Sequence, residues 1–304
     1  MLIVLRKTAR AAVLSIIVAC VPLSAQAAPW LMGVAPRHSH ASTVYAPLGR
    51  FIARAAGHPV KVWRPGRNWF VYANAIVTGR FALAFDGAIF TAWRDQARHY
   101  HPLVRLQGPM RFWVVTTGAS RDIRRMADLD GRPVCANPLP NMATMILLAQ
   151  TSPVAVPYIE PMGGIRKDFK GLLGGECQAA IFPSRFVRHL PPAARAGLRV
   201  LYKTRAYPNL ALSAGPQLTA IQRTRIRAAL LSPQGEAIAR QVFHGARFVP
   251  ASRAEYAPYA QDLPQMPFFM AMVQAADRSQ TVRMAPDGLG HTETVADIKA
   301  HHAR

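Results

Sequence analysis

Two short stretches of the chain carry residues suited to holding an anion. Arg37-His38-Ser39 is followed closely by Ser42-Thr43, just ahead of a helical pattern. A guanidinium matches the geometry of an oxyanion, and hydroxyls at a helix start add donors beside unpaired backbone N–H groups. Phe182-Pro183-Ser184-Arg185 repeats the pairing of hydroxyl with guanidinium. The bland reading of each is a solvated loop, with Ser184 capping a helix and Arg185 on the surface. Asp86-Gly87-Ala88 offers a carboxylate that either meets a ligand amine or caps the next helix. Tyr45, in the first turn of a helix, either walls a cleft or packs in the core.

Other chemistry is poorly supplied. There is no Gly-x-Ser-x-Gly elbow, Walker loop or Gly-x-Gly-x-x-Gly opening. The 15 carboxylates show no acid/base pair, so the sequence asks for no enzyme and no cofactor. His38 and His40 lie two apart, as do His99 and His101, and His301-His302 end the chain. None has the helical spacing and glutamate of a zinc protease, so no metal site is expected. Export leaves two cysteines, Cys135 and Cys177, as a bridge or as two buried thiols.

The elements that must position these groups alternate. Strand patterns at Trp30–Ala35, Pro59–Trp63 and Phe81–Phe85 frame helical patterns at Thr43–Ala56 and Asn68–Thr78. A second block sets strands at Arg111–Thr117, Arg132–Ala136, Pro153–Ile159 and Gln178–Phe182 around helices at Asn141–Ala149 and Gly164–Leu173. Leu198–Tyr202 is a further strand, and Leu218–Phe243 holds two helical stretches around Ser232-Pro233. Two βαβαβ blocks predict parallel sheets with right-handed crossovers. With 25 prolines among 304 residues, a long helical bundle is excluded.

The chain begins like an exported protein. Arg6, Lys7 and Arg10 precede an apolar run at Ala11–Val21, and Ala25-Gln26-Ala27 is a small-x-small cleavage site. Ile17-Val18-Ala19-Cys20 competes as a lipobox, with Cys20 the lipidated residue. Two α/β lobes behind such a signal suggest a hinged solute-binding protein, its ligand beyond the carboxyl ends of facing strands.

Four segments carry a family resemblance. Gly33-Val34-Ala35-Pro36 with Tyr45-Ala46-Pro47-Leu48 and Gly57-His58-Pro59-Val60 resembles the start of the periplasmic phosphate/phosphite/phosphonate-binding proteins of ABC transporters. Gly79–Gly87, Met126–Val134 and Gly174–Ile181 are similar to three later segments of that family, in order, over roughly Met32 to Pro216. The resemblance implies a type II periplasmic-binding-protein fold, an α/β architecture of two lobes, each a mostly parallel sheet flanked by helices, hinged by two crossover strands. It implies a signal peptide at 1–27, a first lobe from 28–117 and 204–278, a second from 118–203, and a polar tail at 279–304. It places the Arg132 and Gln178 strands side by side, which brings Cys135 toward Cys177. In the second lobe the family's hydroxyl-rich anion loop corresponds to Asn137–Thr144, where Asn141 can cap a helix and Thr144 offers a hydroxyl. Ala82 and Gln178 stand where the family has Asp.

The ligand-binding set expected from loop position and resemblance is therefore Arg37, His38, Ser42, Thr43, Tyr45, Asp86, Gly87, Asn141, Thr144, Ser184 and Arg185. The implied function is a monomeric periplasmic protein, with a lipid-anchored form through Cys20 as the alternative, that captures a small anionic solute, an oxyanion or phosphonate, for an ABC permease. A same-fold sensor for a membrane kinase is the alternative partner. A metal-binding or redox accessory protein is the alternative from another class. The formal charge of +22 comes from scattered arginines, and export argues against nucleic acid.

Overall fold

The structure, a computed structural model, describes residues 27–36, 41–63, 68–152 and 154–262, together with 271, 274 and 275. The signal-peptide residues before 27 and the expected tail at 279–304 lie outside the described residues.

The first lobe grows from β1 (Trp30–Val34), α1 (Ala41–Ala56), β2 (Val60–Trp63), α2 (Trp69–Val77), β3 (Leu83–Asp86), α3 (Ala88–Arg98) and β4 (His101–Leu106). Tyr45, Leu48, Ile52 and Ala56 are all buried at helical spacing, which is why this stretch of α1 lies flat on the sheet. Asn68 begins α2 by accepting the Val71 N–H at 3.0 Å.

After the short β5 (Pro109–Met110) the second lobe runs through β6 (Phe112–Thr117), β7 (Pro133–Cys135), α4 (Met142–Thr151), β8 (Tyr158–Glu160), α5 (Ile165–Gly174), β9 (Ala179–Pro183), α6 (Ser184–Arg188), α7 (Pro192–Ala196) and β10 (Leu198–Lys203). The chain returns through β11 (Tyr207–Pro208) and completes the first lobe with β12 (Ala211–Ala214), α8 (Ala220–Leu230), α9 (Pro233–Val242), β13 (Phe248–Pro250) and α10 (Arg253–Tyr256), ending in a 3-10 turn at Ala257–Asp262.

The first sheet has six strands in the order β13-β4-β12-β3-β1-β2, and the second has five in the order β10-β6-β9-β7-β8. Each keeps a parallel core, β2-β1-β3 and β9-β7-β8. The flanking pairs β12–β3, β12–β4 and β13–β4 are antiparallel, as are β6–β9 and β10–β6. The strands of the two βαβαβ blocks thus pair parallel as expected, and the antiparallel pairs are made by the strands added on either side of them.

Phe112–Thr117, expected from the sequence as the end of the first lobe, pairs within the second sheet. The apolar run at Pro153–Ile159 forms a strand only over Tyr158–Glu160. Val154 and Val156 are exposed, so no sheet face buries their alternate side chains. The two crossings hold each other: β5 and β11 pair antiparallel, and Thr204 N–H donates to the Phe112 carbonyl at 2.9 Å while Phe112 N–H donates to Thr204 Oγ1 at 3.0 Å.

One face of the first sheet is covered by α1, α8 and α9 around Met32, Phe85 and Phe243. The other face packs on α2 and α3, and that apolar cluster runs on without a break into α4, β6 and β9 of the second lobe. The far face of the second sheet carries α5 and α6 over Phe182, Cys135 and Cys177. The two sulfurs are bonded at 1.98 Å, across 42 residues of chain.

Candidate ligand cleft

Two helices begin where the lobes meet. α3 follows β3 directly, and its N-cap is Gly87, which has no side chain to satisfy the first-turn N–H groups. α4 follows β7 and is capped by Asn141, whose Oδ1 accepts the Ala143 N–H at 2.9 Å. Neither first turn contains an acidic residue. Met142, the first residue of α4, lays its thioether on Gly87: a Cβ added at Gly87 would stand 2.6 Å from Met142 Sδ. Only this contact bears on the glycine, because its φ of −77° and ψ of 166° suit any residue, and a larger side chain there would have to displace the Met142 thioether. Ala88, Ile89, Met142 and Ala143 are all buried. The junction therefore offers the positive ends of two helix dipoles surrounded by apolar side chains, a setting that favours a small anion held by backbone N–H groups.

Asp86 does not face this junction as a free carboxylate. It is fully buried and accepts from Arg94 Nη1 and Nη2 at 2.6 Å each, from the Tyr72 hydroxyl at 2.7 Å and from Thr91 Oγ1 at 3.4 Å. Burial and the Asp86 carboxylate together push the Tyr72 phenol well above its ordinary pKa, so Tyr72 stays a donor. Burial alone would weaken the Arg94 charge, but Asp86 outweighs it and the guanidinium's pKa is raised. An amine ligand finds no open lone pair on Asp86, and the helix cap is Gly87. The signal missed in the sequence is Arg94, a cation directly after the apolar stretch Ala88–Trp93 and eight residues beyond Asp86, which places it on the helix that follows the Asp86 strand.

The remaining candidates scatter. Arg37 and His38 lie outside the described residues, and of Ser42 only its place in α1 is described. Thr43 is exposed in the first turn of α1. Tyr45 packs edge-on against Phe243 at 5.8 Å and tilted against Phe85 at 6.2 Å, on the sheet face turned away from the second lobe, so it is a packing residue. Thr144 is buried in the first turn of α4 and donates its hydroxyl to the Asn137 carbonyl, which fixes the loop ahead of the helix. Ser184 is buried at the start of α6, with its N–H on the Arg111 carbonyl at 2.7 Å, and Arg185 is exposed. The structure thus brings Gly87 together with the Asn141–Thr144 turn. It surrounds Asp86 with its own partners. Met142 was not among the expected ligand residues; a side chain without donors, at the position of an anion loop, was its only signal.

A cavity of about 320 Å³ lies elsewhere, behind α4, lined by Ile146, Gln150, Tyr202, Arg205, Tyr207 and Asp262 among others. Its cation is already paired: Arg205 Nη2 donates to both Asp262 oxygens at 2.7 and 2.6 Å and sits over the Tyr207 and Tyr259 rings. It is not an anion site. Among the described residues no three His, Cys, Asp or Glu side chains converge to hold a metal. The bridge also withdraws Cys135 and Cys177 as thiolate ligands.

A family model described as the periplasmic substrate-binding protein of a phosphonate ABC transporter matches residues 32–256. The chain belongs to this family. The family consists of binding proteins, not enzymes, and works in the periplasm. Among the described residues of this binding protein, no helix is long and apolar enough to cross a membrane. Its fold is that of three solved structures. A Xanthomonas citri protein bound to ATP is 13% identical with a TM-score of 0.60, covering 82% of this chain and 98% of its own. The Prochlorococcus marinus protein PhnD1 in complex with methylphosphonate is 12% identical with a TM-score of 0.59, covering 78% and 98%. The binding-protein component of a Pseudomonas aeruginosa ABC phosphonate transporter is 13% identical with a TM-score of 0.57, covering 90% and 94%. No curated protein sequence matches the chain significantly. At these identities the likeness shows the fold alone.

Proposed function

We propose that this periplasmic binding protein captures a small phosphonate-type oxyanion between its lobes and delivers it to an ABC permease. The observation that carries this reading is the meeting of α3 and α4 at Gly87 and Met142, with no acidic residue in either first turn. One helix start from each lobe lets a single anion bridge both, so binding and closure become one event. The proposed lobes are residues 28–110 with 204–262, and 112–203. Export proceeds through cleavage after Ala27, with lipid attachment at Cys20 as the competing outcome, and the exported chain acts as a monomer carrying a formal charge of +19 that draws anions toward it.

The test is calorimetric titration of the mature protein, from Ala28 onward, with phosphate, phosphite, sulfate, methylphosphonate and 2-aminoethylphosphonate. Binding of at least one phosphorus oxyanion is expected, with a matching thermal shift; ligand at 100 times its Kd adds about 2.7 kcal/mol of stability. Binding of none of the phosphorus oxyanions overturns the reading.

A further inference from the structure

Five exposed cations stand together on the side of the second sheet turned away from α4 and the first lobe: Arg166, Lys167 and Lys170 on α5, Arg188 on α6 and Arg195 on α7. The packing beneath groups them. α5 and α6 lie side by side, with the Phe169 ring 5.6 Å from the Phe186 ring and 6.0 Å from the Phe182 ring. Arg195 reaches back from α7 and donates to the Arg188 carbonyl at 3.2 Å, which brings α7 up to the end of α6. On α5, helical spacing sets Arg166, Lys170 and Leu173 on one stripe, away from the buried Asp168 and Leu172.

Elsewhere arginines have acidic partners, as Arg105 has Glu255, Arg205 has Asp262 and Arg253 has Asp95. None of these five cations forms an ion pair among the described residues. The carboxylate within α5 is the buried Asp168, and Glu176 comes only beyond the Gly174-Gly175 end of the helix. We propose that this face docks on an anionic phospholipid bilayer. Guanidinium and ammonium groups spread over three helices meet several lipid phosphates at once, which a single soluble anion cannot do. Leu173, 56% exposed, lies among the cations one turn beyond Lys170. An apolar side chain there suits the boundary between headgroups and acyl chains, whereas an acidic protein surface would press charge against it. The 320 Å³ cavity is lined by other residues, so the cations surround no pocket of that kind. A protein held this way searches along the membrane surface, and the proposal is independent of what the cleft binds.

The experiment is vesicle flotation of the mature protein, from Ala28 onward, at ~0.1 M salt, with phosphatidylcholine alone and with phosphatidylcholine mixed with phosphatidylglycerol. Wild type is expected to float with the mixed vesicles, to stay behind with the neutral ones, and to be released at ~1 M salt, where screening shortens to about 3 Å. Arg166→Gln with Lys170→Gln and Arg188→Gln should bind the mixed vesicles about a hundredfold more weakly, about fivefold for each cation lost. Arg50→Gln with Arg54→Gln and Arg225→Gln removes the same charge from exposed positions on α1 and α8 and should keep most of the binding. All six side chains are exposed, so neither triple variant reaches the core. Wild type that treats neutral and mixed vesicles alike overturns the proposal, and so does an equal loss in the two triple variants, which would trace binding to total charge. Release by soluble glycerol 3-phosphate at matched phosphate concentration would make this a site for one phosphate and overturn docking. Capture by soluble polyglutamate without capture by vesicles would make it an acidic-protein surface and overturn it equally.

Discussion

Asp86 and Arg94 face each other across one turn of backbone and a helix start, joined by two bonds of 2.6 Å, with neither side chain exposed to solvent. The carboxylate ends β3, and the guanidinium comes from the second turn of the helix that β3 leads into. The pair thereby fixes the direction in which α3 leaves the sheet. The position of the α3 start depends on that angle.

Removing one partner strands a buried charge. Asp86→Ala should lose about 3–5 kcal/mol in a denaturant titration. Replacing both residues, as in Asp86→Ala with Arg94→Leu, should recover part of the loss, since no charge is then left alone. Ligand preference should follow fold stability and nothing more. A stable Asp86→Ala protein with altered affinity for 2-aminoethylphosphonate would instead make Asp86 a ligand contact.

Gly87→Ala tests the close approach of the two lobes. Its backbone tolerates alanine, so any effect arises from the methyl group, 2.6 Å from Met142 Sδ. Overpacking of this kind costs about 1–3 kcal/mol, here charged against the closed arrangement. Oxyanion affinity should drop by about tenfold or more. Met142→Ala in the same chain should return part of it, and a double-mutant cycle on the calorimetric Kd values measures the coupling. Strict additivity of the two changes would dissolve the contact.

The disulfide closes a loop of 42 residues within the second lobe. In the chain-entropy description such a loop contributes about 4 kcal/mol. Cys135→Ala with Cys177→Ala should lower the unfolding free energy by that order, and a reductant that reaches the buried bridge should lower the Tm of wild type toward that of the double variant. Equal melting of the two proteins under oxidising conditions would count against a stabilising bridge.

Asp168 provides a pH dependence. Its side chain is buried, Oδ1 has no hydrogen-bond partner, and burial raises its pKa against the opposing pull of the Met162 and Gly164 N–H groups. A raised carboxyl binds more protons in the folded than in the unfolded state. Stability from this group therefore falls as pH rises from the unfolded pKa through the folded one, and the cost is complete above it. Asp168→Asn should melt higher than wild type at about pH 7, and the gap should shrink as the pH is lowered to about 4. A gap independent of pH would show that Asp168 does not titrate differently on folding.

The elements with strong local patterns were legible. α1 was expected at Thr43–Ala56 and spans Ala41–Ala56; Ser232-Pro233 was expected to divide two helices, and Ser232 caps α9 with its hydroxyl on the Gly235 N–H. β12 and β13 were not legible. Ala211–Ala214 reads Ala-Leu-Ser-Ala, four residues without the β-branched or aromatic types that announce a strand, and only its place between β3 and β4 makes it one. At the site, sequence position found both helix starts, because loops after strands are recognisable from turn residues. Which side chains would be consumed internally was not readable, since Asp86 is claimed by Tyr72 and Arg94 through tertiary packing.

That late strand orders events during export. Residues 112–203 form the second sheet from one uninterrupted stretch of chain, whereas the first sheet lacks its middle until Ala211–Ala214 has arrived. An N-terminal segment emerging into the periplasm therefore carries β3 and β4 as two open edges, separated by the gap that β12 will fill. Residues 107–210 must all be secreted between the end of β4 and the strand that seals it, during which those edges are the part of the molecule most open to pairing with a neighbouring chain.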